Sequence, residues 1–254
     1  MRIHGTARER LKRIPGLVPA VRSARALGRS AAHSAEDVRL LAERFGRRKR
    51  IDDYLRTHSE RKLQLGTGAN PYPGWLNTDI HDFRRRGEVV YLDATEPFPL
   101  PDESFDLVFS EHMIEHLTYA DGQHCLRECH RVLRSGGRIR VATPSLDQLI
   151  TLYDREQSDL QRRYIRWSID SFQGGAVPNI AGFVVNNFFR DWGHEFIYDR
   201  ETLRHALESV GFVDVEQWPV GESGDPRLVG LERHMRSAAE FNAFETMVLE
   251  ARRP

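Results

Sequence analysis

The spacing of apolar positions along the chain changes near Arg61. Before it, no segment reads as a strand. Ser34–Phe45 has Ser34 as a helix N-cap, Glu36 and Asp37 in the first turn, Val38, Leu41 and Phe45 on one face, and Gly46 as a stop. A second short helix is expected from Arg47 to about His58. From Arg61 onward, short apolar runs bounded by turns predict strands at Lys62–Leu65, Trp75–Ile80, Val89–Leu92, Phe105–Ser110 and Arg138–Thr143. Asp121–Leu133 instead carries Cys125, Leu126, Cys129, Val132 and Leu133 at helical spacing, with Gly136 and Gly137 behind it. Asp199 caps a further helix, whose stripe is Leu203, Ala206, Leu207 and Val210, closed by Gly211. Two last strands are expected at Val213–Pro219 and Phe244–Ala251, separated by a Gly/Ser/Pro-bearing loop. Strand alternating with helix predicts an α/β fold, a mostly parallel sheet covered on both faces.

This pattern divides the chain into a helical arm, 1–58, and an α/β domain, 59–254. Within the domain, residues 145–198 form an aromatic-rich insertion without sheet character. Charge sharpens the division. The chain has 37 basic and 37 acidic residues, yet residues 1–62 hold 17 basic against 7 acidic, a net of +10 that the remainder balances. A basic arm on an acidic body suits nucleic acid, an anionic membrane surface, the chain's own acidic domain or a second subunit, which leaves a homodimer open. Phe45 is the only aromatic before Tyr54, so base stacking has little to work with there. Two cysteines give no disulfide framework, no apolar run spans a bilayer, and Arg22, Arg25 and Arg29 interrupt any signal-peptide core. A cytoplasmic protein is expected.

The stretch LQLGTGANPYPGWLNTDI, Leu63 to Ile80, leads into chemistry. Gly66 and Gly68 follow an apolar strand and give the backbone freedom to approach a ligand. A dinucleotide fingerprint would place its third glycine where Pro71 stands, and would then open a long helix. Pro71 and Pro73 permit a turn instead. No Gly-Lys-[Ser/Thr] is present, which excludes a phosphate-loop NTPase. Asp79 arrives at the end of the second strand, where a carboxylate can accept from two ribose hydroxyls or simply make an Asx turn. Asp93, beside Ala94, closes the third strand and can accept from an adenine amino group. Three consecutive strands thus offer ligand-facing groups at one sheet edge, where open α/β sheets bind ligands.

These segments resemble the class I S-adenosylmethionine-dependent methyltransferases. The likeness runs through LQLGTG, LNTDI, LDATEPFPLPDESFDLVFSEHMIEHL and LRECHRVLRSGGRIRVATP, over about residues 60–150, and YDRETLRHALESVGF and ETMVLEARRP fit the end of the same fold. The resemblance implies a Rossmann-like seven-stranded sheet with its last strand inserted antiparallel, and S-adenosylmethionine as cofactor. By this likeness Gly66 and Gly68 lie against the methionine part, Asp79 holds the ribose, Asp93 and Ala94 the adenine, Ser110 faces the sulfonium, and Leu65, Thr67 and Ile80 also border the cofactor. One departure is that the helix after the glycine turn is nearly absent.

Methyl transfer needs positioning, and an oxygen nucleophile benefits from a general base. His112, just past the fourth strand, is the first candidate base; His194, before a Tyr-Asp pair familiar in this family, is a base or an acceptor contact. Glu111, His116, Asp147, Asp191, Trp192 and Glu195 are expected on the acceptor side. His112 and His116 have the i,i+4 spacing of zinc helices, but Glu111 precedes the first histidine, so the His-Glu-x-x-His order is missing. Mg²⁺ could be held by Asp147, Asp191 or Glu195, although their spacing singles none of them out.

The resemblance favours an O-methyltransferase acting on a small molecule, with a sugar, oligosaccharide or polysaccharide hydroxyl as the preferred acceptor. The arginine-rich composition is compatible with an actinobacterial source. A nucleic-acid methyltransferase using the basic arm is the alternative, but Ser110-Glu-His-Met stands where amino-directed enzymes carry Asn/Asp-Pro-Pro-aromatic. A non-catalytic cofactor-binding protein is a third reading, which the presence of both Asp79 and Asp93 disfavours.

Overall fold

The computed structural model describes residues 46–81, 88–174, 177–234 and 238–254. The expected helix Ser34–Phe45 and most of the basic arm lie outside the described residues. Arg48–Pro254 forms one compact unit. It opens with a helix (α1) that runs to residue 57 and buries Ile51 and Tyr54 in the main core, so this part of the chain belongs to the body.

Seven strands follow: β1 Lys62–Leu65, β2 Leu76–Asp79, β3 Val89–Tyr91, β4 Phe105–Glu111, β5 Leu133–Pro144, β6 Val213–Trp218 and β7 Thr246–Arg252. They form one sheet in the order β3-β2-β1-β4-β5-β7-β6. β1 to β5 pair in parallel, and β7 lies antiparallel between β5 and β6. This is the expected sheet. β1 is an interior strand between β2 and β4, with Leu63 opposite Leu76 on one side and Val108 on the other.

Alternation along the strands sorts residues between the two faces. Leu63, Leu65, Val108, Ile139, Val141 and Leu249 point into the main core. There they meet α2 (Tyr119–Val132), which buries Cys125, Leu126, Cys129 and Val132, and α6 (Arg200–Ser209), which buries Leu203, Ala206 and Leu207. Local chemistry sets both starts: Thr118 accepts from the Asp121 amide and Asp199 from the Thr202 amide. The cysteines are unpaired and buried.

The opposite face carries Tyr72, Trp75, Leu107, Phe109, Leu228 and Leu231, which come from the turn after β1, from β4 and from the loop 219–234. Beneath that loop lies Arg140, fully buried. Its guanidinium grips Glu232 through two bonds of 2.6 and 3.0 Å, reaches Glu250 at 2.5 Å, and donates to the Glu222 carbonyl at 2.8 Å. The buried cation is thereby paired and hydrogen-bonded, as its desolvation requires.

The 145–198 insertion is helical: α3 Leu146–Thr151, α4 Asp159–Phe172 and α5 Ala181–Arg190. α4 starts with a reciprocal capping box between Ser158 and Gln161. These helices and α7 (Ala239–Glu245) form a satellite core around Leu149, Tyr164, Ile165, Val184, Phe188 and Phe241. Two expected boundaries shift. The strand expected from Arg138 begins at Leu133, because β5 already pairs Leu133 with Phe105 before the irregular step at Gly136. The strand expected from Phe244 begins at Thr246, because Phe241 and Phe244 belong to α7 and pack on Tyr164.

Candidate functional site

β1 ends in two left-handed glycines, Gly66 at φ +62° and Gly68 at φ +50°. A Cβ on Gly66 would stand 2.4 Å from Cγ of Met113, so both the backbone and the close approach of the β4 exit demand glycine. The turn is fastened directly to β2: the Thr67 amide donates to the Thr78 carbonyl at 3.0 Å, and the Gly68 amide to Oδ2 of Asp79 at 2.8 Å. Only turns, and no helix, lie between β1 and β2. Oδ1 of Asp79 also accepts from the His81 amide at 2.9 Å, and Oδ1 of Asp93 accepts from both amide and hydroxyl of Thr95. Both acids therefore make Asx turns at the carboxyl ends of parallel strands.

They also line a cavity of about 670 Å³ that extends from Leu65, Gly66 and Gly68 past Asp79 and Ile80 to Asp93 and Ala94. This volume suits a nucleoside-sized ligand. A Cβ built on Gly68 would meet open space, and Ile80 offers an exposed apolar surface. The residues present fit S-adenosylmethionine: carboxylates for hydroxyl donors, an apolar wall, and a glycine turn clear of side chains.

A second cavity, of about 470 Å³, adjoins the first; Gly66, Gly68, His112, His116 and Trp192 line both. His112 leaves β4 at φ +46°, an uncommon conformation for a residue with a side chain. Its Nε2 lies 3.1 Å from Oγ1 of Thr246, whose own hydroxyl donates to Asn242. Nε2 of His112 is therefore the protonated nitrogen, and Nδ1 keeps its lone pair. His194 has the opposite tautomer, because Nδ1 sits 2.8 Å from the Phe188 carbonyl, an acceptor only. Its Nε2 keeps the lone pair.

Glu111 at the end of β4 accepts from the amides of Arg233 and His234 at 2.7 and 2.8 Å. This docks the loop so that the His234 ring lies flat on His112, with centroids 4.0 Å apart. Burial holds His112 well below the usual imidazole range, and the neighbouring His234, His194 and His116 oppose its charge further. Burial also lowers His194 and His234 and raises Glu111.

Glu115 is fully buried, and burial pushes its carboxyl up to about 8. Oε2 accepts from the Thr143 hydroxyl at 3.0 Å, and Oε1 faces Nδ1 of His112 at 3.4 Å. Both groups favour their neutral forms, so this contact is not an ion pair. Glu245, raised by burial to about 7, accepts from Oη of Tyr164 at 2.5 Å.

His112, His194, His116, Glu111 and Trp192 of the expected set all line this chamber. Thr67 lines it too, on the side away from the nucleoside cleft, with its hydroxyl buried. Ser110 is buried in the sheet and lines neither cavity. The three carboxylates considered for Mg²⁺ do not come together. Asp147 accepts from the Arg200 amide at the start of α6, Asp191 lines a shallow groove between α4 and α5, and Glu195 is exposed. Glu115, Glu245, His234 and Gln64 line the chamber without having been expected there. Gln64 and Glu115 stand in motifs already singled out; His234 and Glu245 arrive from distant loop and helix, which spacing cannot show.

A family model described as "Methyltransferase domain" matches residues 57–141. A Mycobacterium tuberculosis protein named "Probable S-adenosylmethionine-dependent methyltransferase" is 45% identical over 60 residues, 24% of this chain and 21% of that one. An uncharacterized 37.1 kDa transposon protein of Streptomyces fradiae is 30% identical over 133 residues, 44% of this chain and 37% of that one. The chain thus spans about a fifth of the length of the mycobacterial relatives it matches. A crystal structure of an Archaeoglobus fulgidus S-adenosylmethionine-dependent methyltransferase aligns over 84% of this chain and 93% of its own, at 20% identity and a TM-score of 0.48. Residues 57–141, which carry the glycine turn and both strand-end acids, are thus similar to a methyltransferase domain, and the mycobacterial relatives are named as S-adenosylmethionine-dependent. Among the described residues, no helix is long and apolar enough to cross a membrane.

Proposed function

We propose that the protein methylates a hydroxyl group of a small molecule, with a sugar or oligosaccharide as the acceptor class. The observation that carries this reading is the junction of the two cavities at Gly66, Gly68, His112, His116 and Trp192. Asp79 and Asp93 would hold the ribose and adenine of the cofactor, with Leu65, Gly66, Gly68, Ile80 and Ala94 forming its walls. When bound, S-adenosylmethionine supplies an electrophilic methyl group, which passes to the acceptor oxygen as sulfur keeps the electron pair of the broken bond.

The chain's own part is to bind and orient the acceptor, exclude water and take its proton. Nδ1 of His112 is the proton acceptor: Thr246 fixes its tautomer and burial keeps it neutral at physiological pH. His194, in the opposite tautomer, keeps its Nε2 lone pair in the chamber that it lines. Trp192 and Phe172, edge-to-face with centroids 4.9 Å apart, give an exposed aromatic wall beside these polar groups. An apolar wall with converging donors and acceptors suits the C–H face and hydroxyls of a sugar. The test is a methyl-donor assay against a panel of sugars and oligosaccharides. A product O-methylated by the wild type and slowed by His112→Ala is expected; methylation confined to nitrogen acceptors or RNA would overturn the reading.

A further inference from the structure

The acceptor chamber holds more ligating groups than a single general base requires. Among the described residues, two three-residue sets bring their potential ligand atoms within 4.8 Å of one another: His112, His234 and Glu245, and Glu115, His116 and His194. The first set is poorly disposed. Its two imidazoles stack at an interplanar angle of 18°, so their lone pairs run side by side, and Nε2 of His112 is already committed to Thr246. The carboxyl of Glu245 is held by Tyr164.

The second set has the opposite character. The rings of His116 and His194 meet edge-to-face at 72°, with centroids 4.9 Å apart, which allows their nitrogens to converge. Each of two members has an outer partner that leaves a ligand atom facing the chamber. The Phe188 carbonyl takes Nδ1–H of His194 and frees Nε2, and the Thr143 hydroxyl takes Oε2 of Glu115 and leaves Oε1. That outer bonding is how metal ligands are commonly oriented. Oε1 of Glu115 is buried and has no hydrogen-bond partner among the described residues. The Glu195 and Phe196 amides both donate to the Glu115 carbonyl, so the segment carrying His194 is fastened to the one carrying Glu115 and His116. Metal bonds of about 2.0–2.1 Å need ligand atoms about 3.3 Å apart in a tetrahedral site. The three ligand atoms lie within 4.8 Å of one another, and His116 is the exposed member with side-chain freedom to adjust.

We propose that Glu115 Oε1, His116 and His194 Nε2 bind a first-row divalent transition metal, zinc(II) in type, at the junction of the two cavities. Two imidazoles and one carboxylate select such an ion over Mg²⁺, which prefers an oxygen shell. Three protein ligands leave a position open, as in catalytic sites. Granting the proposed O-methylation, the acceptor hydroxyl takes that position. Its O–H bond would break with the electron pair left on oxygen and the proton passing to Nδ1 of His112, and that oxygen would take the methyl group as the sulfonium S–C bond breaks with its electron pair going to sulfur.

The test uses the full-length protein, stripped with a chelator and dialysed against zinc(II) or cobalt(II). About one equivalent per chain should bind, and the cobalt form should show visible ligand-field bands. Glu115→Gln and His194→Ala should each weaken metal binding at least about 100-fold and abolish the bands, while His234→Ala should stay within about twofold of wild type. Thermal melting and S-adenosylmethionine calorimetry on each variant establish that it is folded. A wild type that binds no metal, folded variants that keep it, or loss of metal on His234→Ala would each overturn the proposal. Metal binding without cofactor binding would uphold the site and contradict the methyltransferase reading, and the reverse result would separate them the other way.

Discussion

Nε2 of His112 is joined to Oγ1 of Thr246 at 3.1 Å, a bond between the exit of the fourth strand and the start of the seventh. Because Thr246 spends its own proton on Asn242, it can only accept from the histidine, and this leaves the ring's lone pair on Nδ1. Thr246→Val should therefore slow methyl transfer about 10-fold by releasing the tautomer. His112→Ala should slow it about 10²- to 10⁴-fold by removing the base. Both should leave cofactor affinity within about twofold, read by calorimetry beside single-turnover rates. A His112→Ala variant with wild-type turnover would remove the histidine from the mechanism.

The Gly66 turn makes a separable prediction. Gly66→Ala meets two obstacles, the positive φ and the side chain of Met113. It should cost about 2–3 kcal/mol in chemical denaturation. Adding Met113→Ala clears the steric clash but not the backbone strain, so the double variant should recover only part of the loss measured against Met113→Ala alone. Full recovery would mean that the positive φ contributes nothing.

Glu245 gives a pH dependence. Its carboxyl is raised from 4.5 to about 7 in the folded protein. Between those values the unfolded chain sheds a proton that the folded site retains, so this group's contribution to stability falls as pH rises and levels off above about 7. Glu115, raised to about 8, acts with the same sign. Glu245→Gln keeps an acceptor for Tyr164 and cannot ionise. Relative to wild type it should gain about 2–3 kcal/mol in unfolding free energy between pH 4 and pH 8. A difference independent of pH would show that Glu245 titrates normally.

Arg140 tests how the loop 219–234 is held on the sheet. Glu232→Ala removes both the bidentate partner of a fully buried guanidinium and the acceptor of the Gly221 amide. The expected loss is about 3–5 kcal/mol, because the cation is left underpaired in the interior. A loss below about 1 kcal/mol would mean that the loop opens and lets water reach Arg140.

The sheet was legible because each strand is a short apolar run that ends in a residue with a distinct job. Asp79 and Asp93 stand at two such ends, and Asp199 marks its helix by capping chemistry alone. α7 was not legible: Phe244 reads as the start of a strand until Tyr164, far away in the chain, gives it and Phe241 something to pack on as a helix. The chamber was half legible for the same reason. His112, His116 and Glu111 form one local run, and His194 stands in its own motif, but Glu245 joins them only because β7 inserts beside β5. His234 joins because Glu111 captures two amides of a loop. Ser110 shows the limit in the other direction, since its place beside the motif says nothing of its burial in the sheet.

The central claim is that the cleft between the glycine turn and Asp93 binds S-adenosylmethionine. Calorimetric titration of the full-length protein tests it most directly. One equivalent should bind to wild type, and Asp79→Ala should weaken binding at least about 100-fold, since it removes both the proposed ribose acceptor and the group that fastens Gly68 to β2. Asp79→Asn, with one oxygen left for the Gly68 and His81 amides, should fall in between. A folded wild type that binds no cofactor, or an Asp79→Ala variant that binds it as tightly as wild type, would contradict the account.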